Sequence, residues 1–160
     1  MGAIFVDICD VATQPLDVMA GLAFVTRSPN GAENLFVGTV RGVNQGKEVL
    51  GVSYDVFESL AKRSFTDICA EARAKWGREL SLYVTHGKGR LPVGGVGIVI
   101  AVGAPHRDEA FKACRYVIEQ VKHRSPICKL EHYADGDSEW TKGCELCTHE
   151  HEVAGHGRHS

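Results

Sequence analysis

The chain has 160 residues, 44% of them hydrophobic and 24% charged, which excludes general disorder and suits one globular domain. A chain of this length can bury about two thirds of its unfolded surface. Eighteen basic and twenty acidic residues give a net charge of −2, so no global positive field draws nucleic acid.

The longest apolar run, Val96–Val102, falls far short of the roughly 20 residues a membrane helix needs. The N-terminus has neither a basic flank nor a cleavage signal. A soluble, cytoplasmic protein without a membrane partner is expected. In chain order, Leu35–Arg41 reads as a strand, and Val49–Phe57 as its hairpin partner across the loop 42–47. From Glu58 to Trp76 the apolar positions Leu60, Ala61, Phe65, Ile68, Cys69, Ala72 and Trp76 recur at helical spacing, and Gly77 supplies a left-handed stop.

Leu80, Leu82, Val84 and His86 then alternate with Ser81, Tyr83 and Thr85 as a strand. The segment Gly87–Gly95 reads as a glycine-rich turn into a second strand, Val96–Val102. It lacks the spacing of a dinucleotide or Walker loop. One face of the second strand is Gly97, Val99, Ala101 and Gly103, small enough for a helix to pack closely. That helix is expected after Pro105, with Asp108 and Glu109 in its first turn, Phe111, Cys114, Val117, Ile118 and Val121 as its stripe, and an end at Lys122. Pro126–Tyr133 reads as a short strand. Strands and long helices alternate without strict βαβ repetition, so the expected class is α+β, a mixed sheet with helices packed to one side.

Chemistry gathers in two places. Residues 1–129 carry a net +3 and residues 130–160 a net −5, so a mildly basic body precedes an acidic tail. The division is drawn at Trp140, giving a domain over 1–140 and a tail over 141–160. In the body, Arg41 ends a strand, His106 and Arg107 open a helix, and Lys122, His123, Arg124 and Lys129 gather around that helix's end. A guanidinium fork holds phosphate, a helix N-terminus adds backbone donors, and a lysine crowded by other cations can move protons or act as a nucleophile. Convergence of these element ends would suit a phosphorylated small molecule. Each cation taken alone is better explained as a solvated surface charge or a helix-end complement, and only their grouping points to a site.

Three segments in order, Phe36-Val-Gly-Thr-Val-Arg41, His106-Arg107 with Ala110-Phe111, and Lys122-His-Arg-Ser-Pro-Ile-Cys-Lys129 followed by Trp140, resemble the large, catalytic subunit of molybdopterin synthase. The resemblance runs from about Asn34 to Trp140. It implies an α/β-hammerhead fold and a homodimer that binds a small ubiquitin-like sulfur carrier at each end, a heterotetramer. It also implies passage of sulfur from the carrier's C-terminal thiocarboxylate to cyclic pyranopterin monophosphate, twice, making the molybdopterin dithiolene with no cofactor required. Carried over, Lys122 and Lys129 are the catalytic lysines. Arg41, His106 and Arg107 grip phosphate and pterin, some across the dimer interface. Thr39 and Val40 line the site through their backbone, and Leu130 and Glu131 complete the substrate-binding set. Two positions depart from the family pattern: Cys128 stands where an aromatic residue is usual, and Cys144 where an arginine is usual, with Lys142 the nearest cation.

Cys9, Cys69, Cys114 and Cys128 lie in apolar patterns and are expected as packed, reduced thiols. In the tail, Cys144, Cys147, His149 and His151 supply enough ligands for zinc, although their spacing is cramped beside that of known structural sites. A flexible acidic tail and a redox-labile thiol pair are the other readings. An enzyme is therefore weighed against a non-catalytic pterin- or carrier-binding protein with a metal-binding tail, and against a thiol protein.

Overall fold

The computed structural model describes residues 1–141. Within them, eight strands and three helices follow the order β1 (Ile4–Asp10), α1 (Val18–Val25), β2 (Ala32–Thr39), β3 (Val43–Asn44), β4 (Lys47–Val56), α2 (Glu58–Trp76), β5 (Ser81–Pro92), β6 (Val96–Ala104), α3 (Arg107–Arg124), β7 (Ile127–Tyr133) and β8 (Ser138–Thr141). The main sheet runs β2-β6-β5-β4-β7-β8, with β1 parallel to β5 and β3 beside β4. This is the expected α+β class with a mixed sheet. No helix among the described residues is long and apolar enough to cross a membrane.

The two long helices form as their periodicity demands. In α2 the stripe Ala61, Phe65, Ile68, Cys69 and Ala72 is fully buried, and the helix stops at Gly77, whose φ of 117° suits a residue without a side chain. In α3 the buried stripe is Ala110, Ala113, Cys114, Val117 and Val121. Phe111, expected in that stripe, is 63% exposed, because it lies one position around the helix from Ala110. Both stripes cover one face of the sheet, through Leu82, Val84, Ile98, Ile100 and Val102. Each fully buried aliphatic side chain there contributes about 1.5–3 kcal/mol.

The opposite face differs from expectation. The small face of β6 does receive a helix, but it is α1 and not α3: Val25 of α1 packs with Tyr83, Val99 and Ala101. The helices are therefore not all on one side. Asp17 caps α1, its carboxylate accepting from the Ala20 amide at 3.0 Å. A Cβ added at Gly103 would run into the Val25 carbonyl and lie 2.7 Å from the Asn30 amide nitrogen. Gly103→Ala is therefore expected to destabilise the chain by about 1–3 kcal/mol, read as a lowered urea midpoint with unchanged slope.

Two further expectations are corrected. Leu35–Arg41 and Val49–Phe57 do not form a hairpin. β2 pairs with β6, and β4 pairs with β5 and β7, its hairpin partner being the two-residue β3. The glycine-rich segment is also mostly strand. β5 continues to Pro92 and only residues 93–95 turn, closed by the Gly95 amide donating to the Pro92 carbonyl at 2.9 Å. Gly89 lies where β5 passes from pairing with β1 and β6 to pairing with β4, and its φ of 104° makes that bend available. One long strand thus joins the helix-covered half of the sheet to the half built from β4, β7 and β8.

Cys9, Cys69 and Cys114 are free and buried as expected, and burial raises each thiol, Cys69 to about 12 and Cys114 to about 11. Cys128 is instead disulfide-bonded, against the expectation of a packed thiol. Cys144 and Cys147 lie outside the described residues.

Candidate functional site

β7 carries the centre of the site. Successive side chains of a strand alternate between faces, so Lys129, Glu131 and Tyr133 share one face and Cys128, Leu130 and His132 the other. Lys129 Nζ lies 3.1 Å from Glu131 Oε1, with the lysine side chain about a third exposed and the glutamate 7% exposed. Among the described residues, Glu131 Oε2 is buried without a hydrogen-bond partner. A buried carboxylate beside a partly exposed ammonium fixes where that ammonium sits. Leu130, expected with Glu131 on the substrate, pairs with Ser53 and Trp140 on the opposite face of the strand.

β4 supplies the neighbours on the lysine face. Tyr54 stands directly opposite Lys129, and Val52 opposite Glu131. Val52 packs with Leu91 and Val40, and Tyr54 and Val11 border that small cluster. The cluster is what ties Arg41 to the site, since Arg41 follows Val40 directly. The backbone of Val40 is already engaged: its amide donates to the Gly95 carbonyl at 3.0 Å, and its carbonyl accepts from the Gly94 amide at 2.8 Å. Thr39 and Arg41 are exposed.

α3 brings Lys122. The helix follows β6 after a two-residue connection and packs against β2, β6 and α2, its C-terminal turn reaching His86 of β5. There His86 of β5 is close enough to Lys122 for the ammonium charge to act on the imidazole. Among the described residues neither Lys122 nor Arg41 forms an ion pair, whereas Arg124 is held by Glu71 of α2. Two unpaired cations and one tethered lysine therefore stand at one end of the sheet.

His106 and Arg107 do not join them within one chain. Fifteen residues of helix separate Arg107 from Lys122, which is about 22 Å. The α3 N-terminus is also less open to an anion than expected. A capping box has the His106 side chain accepting from the third helical amide, and Glu109 accepting from the His106 amide at 3.1 Å.

Two further side chains border this site outside the cationic segments, half-buried Tyr54 and buried His86. Tyr54 carries a phenol pushed up by burial and then by Glu131, and its ring meets His86 edge-on with centroids 4.7 Å apart. His86 is the packed histidine its position at the end of an apolar strand predicts. It is 6% exposed, its Nδ1 lies 2.7 Å from the Gly87 carbonyl, and burial takes its pKa down to about 4. The available signal was Tyr54 itself, a bulky polar residue in a strand beside the cationic segment.

Among the described residues no group of three or more His, Cys, Asp or Glu side chains is arranged to hold a metal ion. Cys144, Cys147, His149 and His151, read as zinc ligands, lie outside the described residues.

The family model of the MoaE protein matches residues 11–124. The chain belongs to the MoaE family. The molybdopterin synthase catalytic subunit of Synechococcus elongatus is 48% identical over 86% of this chain and 84% of its own length. That of a Nostoc species is 41% identical over 82% and 81%. Among solved structures, molybdopterin synthase from Staphylococcus aureus superposes with a TM-score of 0.79 at 28% identity, covering 85% of this chain and 96% of that one. The MoaE protein of Burkholderia ambifaria gives 0.69 at 26% identity, covering 96% and 99%. Membership gives the chain the role of molybdopterin synthase catalytic subunit in molybdenum cofactor biosynthesis.

Proposed function

We propose that the chain transfers sulfur from the C-terminal thiocarboxylate of a small ubiquitin-like carrier to cyclic pyranopterin monophosphate, twice, forming the molybdopterin dithiolene in the cytoplasm. The observation that carries this reading is Lys129, held 3.1 Å from buried Glu131 at the end of the sheet that also receives Lys122 and Arg41. Both the pterin phosphate and the thiocarboxylate are anions, so a pocket holding them needs several fixed cations. Arg41, exposed and anchored through Val40, is placed to bind phosphate. Lys122 and Lys129 are placed to orient the thiocarboxylate and to move protons as each sulfur joins a pterin side-chain carbon, the carbon–oxygen bond there breaks with the oxygen leaving on the opened phosphate or as water, and water replaces sulfur on the acyl carbon. The protein groups suffice for these steps, and no cofactor is invoked.

His106 and Arg107, about 22 Å along α3 from Lys122, would serve the same site only from a second copy. A homodimer with a composite site is part of the proposal, with the carrier completing a heterotetramer. The word subunit in the relatives' names agrees with a partner chain.

The direct test is to mix the purified protein with a thiocarboxylated carrier and cyclic pyranopterin monophosphate, and to assay molybdopterin. Product formation is expected, and none under conditions where a known synthase works would overturn the reading. In the same assay Arg41→Ala is expected to raise KM for the pterin about tenfold or more with kcat little changed, because a cation on a phosphate binds ground and transition states alike. A slowed kcat at unchanged KM would remove Arg41 from that role.

A further inference from the structure

Beneath the two lysines lies a pair of side chains that the sulfur-transfer reading does not use. His86 Nδ1 lies 2.7 Å from the Gly87 carbonyl oxygen, and a carbonyl only accepts, so Nδ1 carries the proton. With a pKa near 4 the imidazole is uncharged at neutral pH, although Lys122 is near enough to act on it. The Tyr54 ring meets this imidazole at 88° with centroids 4.7 Å apart. On its other side Tyr54 stands opposite Lys129 in the β4–β7 ladder, and its phenol is near enough to Glu131 to feel the carboxylate.

The ring has a prepared seat. A Cβ added at Gly97 would lie 3.0 Å from Tyr54 Cε2, 3.2 Å from its hydroxyl oxygen and 3.3 Å from Cζ. Gly97 thus leaves a slot that the ring fills, and the ring in turn fixes the imidazole by an edge contact.

We propose that Tyr54 and His86 are positioning residues that set the spacing between Lys122 on α3 and Lys129 on β7, forming an uncharged floor that touches neither substrate. The proposal rests on the sulfur-transfer reading for its kinetic consequence. A charged group in that place would compete for the anions or repel the lysines. A packed ring and a neutral imidazole do neither, and two lysines on different elements need such a shared reference if they are to meet one substrate. Misplacement of a reacting group by about 1 Å costs up to about a hundredfold in rate.

Gly97→Ala tests this from behind, since its methyl group presses on the Tyr54 ring without entering the site. It is expected to lower kcat about ten- to a hundredfold while KM for the pterin stays within about twofold. His86→Asn keeps a donor for the Gly87 carbonyl but removes the ring that meets Tyr54, and is expected to behave likewise. Tyr54→Ala should show the same loss, and Tyr54→Phe should recover activity to within about threefold because the ring does the positioning.

A second readout needs no turnover: the relative rates at which acetic anhydride acylates Lys122 and Lys129, with exposed Lys112 as the internal reference. The ratio of the two site lysines should shift in Gly97→Ala and His86→Asn and return in Tyr54→Phe. Folded Gly97→Ala and His86→Asn proteins with wild-type kcat and wild-type acylation ratio would overturn the proposal. If Lys122→Ala and Lys129→Ala remain fully active while the acylation ratio still shifts, the sulfur-transfer reading falls and the positioning stands.

Discussion

Lys129→Ala is expected to lose sulfur transfer by at least about a hundredfold, the lower end of what a positioned acid or base contributes. Lys122→Ala should lose activity to a similar extent, yet the two variants should differ in stability. Lys122 is exposed on the last turns of α3 and, among the described residues, forms no ion pair, so its removal costs the fold little. Lys129 is the counter-charge of a carboxylate that is 7% exposed and, among the described residues, already has one oxygen without a partner. Its loss leaves Glu131 buried and uncompensated, a cost of about 1–3 kcal/mol. Glu131→Gln in the Lys129→Ala background should return most of that stability and none of the activity. Urea unfolding of the three proteins, together with the synthase assay, checks both halves. A folded Lys129→Ala protein with near-normal turnover would remove Lys129 from the chemistry. A double variant no more stable than the single one would mean that the ion pair is not what fixes this strand.

The sequence was most legible where one period dominates. α2, α3 and β6 follow their apolar spacing closely, because each buries a single stripe or face against the sheet. β1 and α1 carry weak sequence signals for different reasons. β1 is half-buried without clean alternation, and α1 is eight residues with a mean character too apolar to show a polar face. The hairpin misreading of β2 and β4 came from proximity in the chain. The actual pairing is long-range: β2 lies beside β6, where Gly38 leaves room for Ile98, while β4 is held between β5 and β7.

The site was legible residue by residue and not as a shape. Lys122, Lys129, Glu131 and Arg41 could be named from the resemblance. That His106 and Arg107 are a helix length away from Lys122, that Val40 has spent both its backbone groups, and that Leu130 faces away from Lys129 are consequences of register and helix direction. Tyr54 and His86 are not legible as site residues because neither lies in the cationic segments. They matter through the slot that Gly97 leaves for the Tyr54 ring.

The buried imidazole also makes the fold sensitive to acid in a predictable window. His86 titrates near 6.5 when unfolded and near 4 when folded, chiefly because burial disfavours the cation. Between these values the unfolded chain binds a proton that the native chain does not, so stability falls as pH drops and is fully present only above the unfolded pKa. From about pH 7 to about pH 5 the loss from this one group is about 2 kcal/mol, rising to about 3 kcal/mol below pH 4, where both states are protonated. His132, whose pKa is lowered by burial and by Arg90, adds a smaller loss of the same sign, and the Asp135 contribution falls at lower pH because its carboxyl is held below its ordinary value. His86→Asn separates these. Although it starts less stable, it should lose about 2 kcal/mol less than the wild type between about pH 7 and about pH 5, measured by urea unfolding at both values. An equal loss in the two proteins would mean that His86 takes up its proton in the native state, and that the floor beneath the lysines is charged across the acid range.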